Sequence, residues 1–435
     1  MRRLLGGDQT RSGLGRSHLA LRSLQKQAHD RLAEPGAYDD SEVAVMLREI
    51  GIALVEVQQP TLLVTARLQR IAAQYTAHPV RMIVLPTVLV IQVGNVAYEV
   101  ETSTHSTVQL DLAGRIDAIA ELAEAGAITP SEAIKTVAAA RVMKPRFNPI
   151  TTIVGYAVTS VGFGMVINPT WASLPGYLFL GLVVGAVIAI GRPFPSLTAV
   201  LPTLAAMIVT MLATWFVADA ANDGLLRVIS PALVALLPGM SLTIGAMELA
   251  SSQIISGASR LVYGVVQLML LVFGVALGIH VAGQVAPQTP SPQMGSWSMY
   301  AAIVVVGFGL YIYLSAPKGS LFWITSAVAV ALVGQKIGGI LIGSELSGVI
   351  GGFLVVPFAT VASRLKTSPP AIVMLLAAFW SLVPGALSFQ SMSEVATGNG
   401  TDATSLGQTV GAIFSIALGT LVGWSVFTPS SKKAR

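Results

Sequence analysis

Hydrophobic and polar positions change rhythm along this chain. From Ser41 the apolar residues Val45, Ile50, Leu54 and Val57 return at helical spacing, the signature of a helix with one buried face. Pro60 ends that helix by removing an amide donor, yet its fixed φ suits the first turn of another carrying Leu63, Leu68 and Ile71. "VRMIVLP", "VLVIQVG" and "VAYEVET" follow as short β-rich runs parted by turn residues, which predicts a small antiparallel meander. Two more helices are predicted, one from near Asp111 and one from Pro130 behind a Thr129 cap.

Beyond Ile150 long apolar runs take over. Ten spans are predicted, near Ile150–Ile167, Leu174–Ile190, Leu197–Ala218, Leu225–Ala250, Leu261–Ala282, Met299–Leu314, Leu321–Gly334, Ile337–Val361, Ala371–Phe389 and Leu406–Phe427. Charge-free stretches of ~20 residues suffice to cross a hydrocarbon core ~30 Å thick. The expected fold is therefore a mainly α polytopic membrane protein behind a small soluble α+β domain. Its parts are a mobile polar tail (1–40), a cytoplasmic α+β domain (41–145), a first five-helix membrane repeat (146–283), an external Pro-rich linker (284–298), a second five-helix repeat (299–429) and a basic tail (430–435).

Composition agrees, with 53% hydrophobic and only 11% charged residues. The net charge of +5 does not point to nucleic acid, because the basic residues gather at the N-terminus and in short loops. Arg141, Lys144, Arg146, Arg192, Arg260, Lys318, Arg364, Lys366, Lys432, Lys433 and Arg435 fall on one side of the ten-span topology. Arg227 and Lys336 fall on the other, with Asp219, Asp223, Glu394 and Asp402. The asymmetry places both termini inside. "MRRLL" leads into no apolar signal core, so the first part of the chain is expected to stay where it is made. The absence of cysteine removes disulfides and thiolate metal sites. No GxxxxGK[ST] loop occurs, which argues against an ATP-driven pump built on this chain alone. Nothing in the sequence calls for a cofactor or a metal.

"LLPGMSLTIGAMELA" (236–250) and "LVPGALSFQSMSEVA" (382–396) share a Pro-Gly step ten residues ahead of a glutamate. They lie 146 residues apart, each on the fourth span of its five-span half. An odd number of spans per half inverts the second copy, the arrangement found in many secondary transporters. Backbone freed by proline and glycine inside a membrane must be satisfied by protein, water or substrate. Pro238, Gly239, Ser241 and Thr243 in one copy, and Pro384, Gly385, Ser388 and Gln390 in the other, are the expected substrate-binding residues. Glu248 and Glu394 are either solvated helix ends or titratable proton-coupling groups.

Other polar clusters read more plainly. "ETSTHSTVQLD", with Ser103, His105, Ser106 and Asp111, is a polar loop after the third strand, since a triad is defined by three-dimensional geometry. His280 is an interfacial residue, Asp219 to Asp223 an outer loop, and Gln335-Lys336 and Glu345 flank a Gly-rich turn.

The assembled motifs resemble the bacterial threonine/serine exporter family. "TARLQRIAAQY", "VLPTVLVIQVG", "DLAGRIDAIAELAEAGAITPSEAI", "GRPFPSL" and "LLPGMSLTIGAMELASSQIISGASRLVYG" carry the likeness in the N-terminal half, and "LVPGALSF" with the glycine-rich last span carries it in the other. The resemblance implies export of threonine and serine across the bacterial inner membrane by the proton-motive force, with protons as coupling ion. The lipid bilayer is the surrounding partner, and a homo-oligomer is compatible with this class. The chain departs from the family at "VEVQQPTLL", where relatives carry Arg- and Glu-containing helix turns. The competing expectation is a membrane-anchored enzyme or sensor whose soluble N-terminal domain carries the activity.

Overall fold

The computed structural model describes residues 26, 31–32, 37–101, 108–197, 199–217, 224–283, 291–344, 346–382 and 403–427. Its N-terminal part is an α+β unit. Helix α1 (Asp40–Glu56) starts where Asp39 accepts the Ser41 amide, and buries Val43, Met46, Leu47, Ile50 and Leu54. Strands β1 (Val80–Val84), β2 (Val88–Val93) and β3 (Val96–Glu101) form an antiparallel sheet in that order, with Val84 opposite Leu89 and Val93 opposite Val96. Along β2 buried and half-buried positions alternate, so Leu89, Ile91 and Val93 face the core, as the period of a one-sided sheet requires. Helices α2 (Thr61–Tyr75), α3 (Leu110–Glu124) and α4 (Pro130–Arg141) complete the unit. Thr129 caps α4 by accepting the Glu132 amide at 3.3 Å.

Polar residues of the family-like motifs stitch this unit together. Arg67 on α2 pairs with Asp117 and, at 2.7 Å, with Glu124 on α3. Burial works against the Arg67 charge, but the two carboxylates outweigh it, and its pKa lies above the usual arginine value.

The rest is helical: α5 (Pro149–Ile167), α6 (Leu174–Gly191), α7 (Leu201–Phe216), α8 (Leu225–Leu233), α9 (Gly239–Ala250), α10 (Ile254–Ala282), α11 (Ser298–Tyr313), α12 (Leu321–Ile342), α13 (Gly348–Ala362), α14 (Ala371–Leu382) and α15 (Ala403–Phe427). Among the described residues five helices are long and apolar enough to cross a membrane, six if α8 and α9 count as one bent span, and α7, α11, α13 and α14 are shorter apolar helices. This is a multi-pass membrane protein.

Helix α5 packs along α11 at the centre, α6 lies on α5, and α12 on α11. Two further pairs, α7 with α10 and α13 with α15, cross closely. A Cβ on Gly274 or Gly278 of α10 would lie 2.4 or 2.9 Å from the backbone oxygen of Thr203 or Met207. On Gly419 and Gly423 of α15 it would lie 2.1 and 3.0 Å from the oxygens of Val349 and Phe353. Only a missing side chain lets the backbones approach so near.

The α+β unit is seated on this bundle. The first amides of α3, Leu110 and Asp111, donate to the carbonyls of Leu314 and Ser315 at 2.8 and 3.1 Å. One hydrophobic core runs from Leu47 and Ile119 to Leu310, Val328 and Val373.

The structure corrects two sequence boundaries. The span break expected between Gly334 and Ile337 is absent, because α12 continues through Gln335-Lys336 to Ile342 and turns at Gly343, φ 91°, between the expected flanks Lys336 and Glu345. Lys336 stays helical with its ammonium 5.3 Å from the Tyr300 ring centre, a contact that offsets desolvation of the charge. Helix α10 begins at Ile254 rather than Leu261, which moves Arg260 from a loop into the helix.

Candidate functional site

Helix α8 ends against a proline. Pro238 disfavours α geometry in the residue before it, and Leu237 is extended, with ψ 133°. A single 3₁₀ turn (Val234–Leu236) precedes it, Gly239 opens α9, and the two helical arms meet at a bend of 64°. The last carbonyls of the first arm and the first amides of the second thus lie at the break without intrahelical partners.

A cavity of about 520 Å³ opens beside the break, lined there by Ala235, Leu236, Pro238 and Ser241, a volume within the ~300–1,000 Å³ usual for small-molecule sites. Helix α10 contributes Arg260, Tyr263 and Gln267, spaced along one helical face, with the Gln267 amide donating to the Tyr263 hydroxyl at 3.0 Å. A smaller cavity of about 140 Å³ shares Pro238 and Ser241 and reaches Trp380 of α14, whose indole nitrogen is buried without a partner.

The α+β unit supplies Gln58 to both cavities. At the end of α1 the Gln59 amide bonds to Leu54 and the Gln58 amide to Val55, at 3.2 and 2.9 Å. This closing pattern puts its penultimate residue in the left-handed region and usually takes glycine. Glutamine stands there at φ 62°, at a cost that a Cβ-bearing residue incurs and glycine avoids. Strain of this kind points to a side chain needed where it is.

Glu248 joins the three parts. Its Oε1 accepts from the Thr61 amide at 2.8 Å and the Thr61 hydroxyl at 2.9 Å, and its Oε2 accepts from Arg260 Nε at 3.1 Å. The Glu248 side chain is 1% exposed and that of Arg260 10%. A carboxylate from α9 therefore caps the N-terminus of α2, where free amides and the helix dipole favour a negative charge.

Of the expected site residues, Pro238 and Ser241 line both cavities and Gly239 the smaller one. Thr243 is buried and is not among the lining residues. Glu248 is not a solvated helix end, because Thr61 and Arg260 occupy its oxygens. Pro384, Gly385, Ser388, Gln390 and Glu394 lie outside the described residues, as do Ser103, His105, Ser106, Asp219, Asp223 and Glu345. Asp111 sits in the first turn of α3, half-buried, with burial raising its pKa. His280 is exposed in the last turn of α10.

Arg260 and Gln58 escaped the sequence reading. Their signals were a polar stripe at i, i+3 and i+7 on α10 and the departure at "QQP" from the family pattern.

The sequence matches no curated protein and no solved structure. The profile of the family ThrE, described as "Putative threonine/serine exporter", matches residues 45–282. That stretch takes in most of the α+β unit, the break, the cavity-lining helix and the Gly274–Gly278 crossing, and ends at the last residue of α10. It covers more than half of the chain, and the chain belongs to this threonine/serine exporter family.

Proposed function

We propose that the protein is a secondary active exporter of L-threonine and L-serine across the bacterial inner membrane, with the substrate held at the broken helix. The observation that carries this reading is the conjunction at Pro238: a span interrupted by 64° and a cavity of about 520 Å³ against the interruption. Exposed backbone of both polarities suits a zwitterion, since α9 offers amides to a carboxylate and α8 offers carbonyls to an ammonium. Irregular backbone in a membrane is tolerated where it lines such a cavity.

Alternating access follows from an inverted repeat. Among the described residues, the bent pair as one span and the five long helices, with the four shorter apolar helices taken as spans too, would make ten. Thr203 and Met207 map onto Val349 and Phe353 at an offset of 146 residues, and Gly274 and Gly278 onto Gly419 and Gly423 at 145, and these are the residues that form the two close crossings. In this reading Pro384, Gly385, Ser388 and Gln390 form the mirror break, the α+β unit and both termini are cytoplasmic, and Glu248 and Glu394 take part in proton coupling.

Flux of labelled threonine and serine in proteoliposomes under an imposed pH gradient tests substrate and energy source together. Uphill movement that an ionophore abolishes is expected. If neither amino acid moves with or without a gradient, the exporter reading fails.

A further inference from the structure

The cavity at the break holds a positive charge that the protein satisfies only in part. Arg260 donates Nε to Glu248, while its Nη2 is buried without a hydrogen-bond partner. Glu248 has little more to give, since its second oxygen already accepts two bonds from Thr61. An unpaired guanidinium nitrogen away from water is costly, and such a position is kept where an acceptor arrives. Among the described residues lining the large cavity, Arg260 is the only one charged at neutral pH and none is a carboxylate. Among the described residues the place beside Nη2 has no acceptor, which suits one that arrives with a ligand. Ser241, in the first turn of α9, lines the same cavity, so the free amides of that turn add positive potential to the region Arg260 faces.

We propose that Arg260 is the carboxylate anchor of the transport site: its guanidinium, turning the unpartnered Nη2 into the cavity that Arg260 lines, takes the α-carboxylate of the transported amino acid, while Glu248 holds it by Nε. The inference rests on the exporter reading and adds the group that orients the substrate. A planar fork with one edge fixed and another free suits a carboxylate better than a lysine ammonium, which has no second edge to offer.

The test compares L-threonine with L-threoninol, which replaces the carboxylate by a hydroxymethyl group, on the purified full chain by calorimetry and by competition for exchange in proteoliposomes. The expected result is that threonine binds at least about tenfold more tightly than threoninol. Arg260→Lys keeps a charge beside Glu248 and is expected to lose most of that preference by weakening threonine alone. Arg260→Gln should remove the preference altogether. The wild-type comparison needs no variant, so a folding defect in Arg260→Gln cannot mask the answer. Equal binding of the two ligands by the wild type, or threonine binding at wild-type strength in a folded Arg260→Gln, overturns the anchor while leaving the exporter standing. A wild type that neither binds nor exchanges threonine removes both.

Discussion

Helices α7 and α10 meet through Gly274 and Gly278, and helices α13 and α15 meet through Gly419 and Gly423, in each case against two carbonyl oxygens one helical turn apart. The same offset that superposes these glycines carries Arg260 to Ser405, Tyr263 to Gln408 and Gln267 to Ala412. The crossing is thus duplicated, whereas the charged end of the cavity wall is not. Backbone contact depends only on the absence of side chains and tolerates change elsewhere. A buried charge must be partnered, and Thr61 and Glu248 are in place to hold the one in the first stretch. On the proposed inverted repeat, the difference would let a symmetric scaffold present one ligand in one orientation.

The most severe way to break the comparison is to fill the crossings. Gly274→Val and Gly419→Val each drive a side chain into a backbone oxygen, and each should cost about 3 kcal/mol or more, beyond ordinary overpacking because backbone has to move. Size-exclusion profiles and thermal unfolding in detergent should show similar losses for the two variants. Wild-type stability in either one would end the equivalence of the crossings.

Next in size is the Pro-Gly step. Pro238-Gly239→Ala-Leu restores the missing amide and favours a straight helix. Normal membrane levels with flux abolished are expected, and the same for Pro384-Gly385→Ala-Leu. If both variants export at wild-type rates, the two steps are tolerated kinks and the second half has no functional counterpart to the break.

The subtlest change is Glu248→Gln against Glu394→Gln. On the proposed coupling role, uphill export should collapse in both, while gradient-free exchange of labelled threonine continues in Glu394→Gln and is weakened in Glu248→Gln, whose side chain holds Arg260. Glu248→Gln should also lower thermal stability by about 1–3 kcal/mol, since Arg260 loses its counter-charge in a buried setting. Wild-type pumping in both variants would place coupling elsewhere.

Much of the fold could be read locally. The period-two burial of Leu89, Ile91 and Val93, the Thr129 cap and the break at Pro238 each depend on neighbours within a few residues. The span break expected between Gly334 and Ile337 is absent because the dip in hydropathy at Gln335-Lys336 is not a helix end, and Gly338 continues the helix against the Ser347 backbone. Arg260 was read as loop charge for a similar reason: hydropathy pushes charges out of spans and cannot see that Glu248 neutralises this one. The contact that assembles the site, Thr61 with Glu248, joins residues 187 apart. No periodicity carries that information, and the Pro-Gly-x₈-Glu repeat marked the carboxylate without naming its partners.

Helix length has a consequence for the surrounding lipid. Helix α10 has 29 residues, whereas α7 and α11 have 16 each and α13 has 15. At 1.5 Å per residue the first is about 43 Å long and the others about 22–24 Å. A bilayer that fits the short helices is thinner than the ~30 Å average, and the long one must tilt or protrude. If the short helices cross the whole bilayer, the lipid around them is compressed into an elastic collar, whose tension depends on acyl-chain length. Any motion that changes how much of the short helices meets the collar does work on the membrane. Bilayers of shorter-chain lipids should lower that work and speed transport with no residue changed.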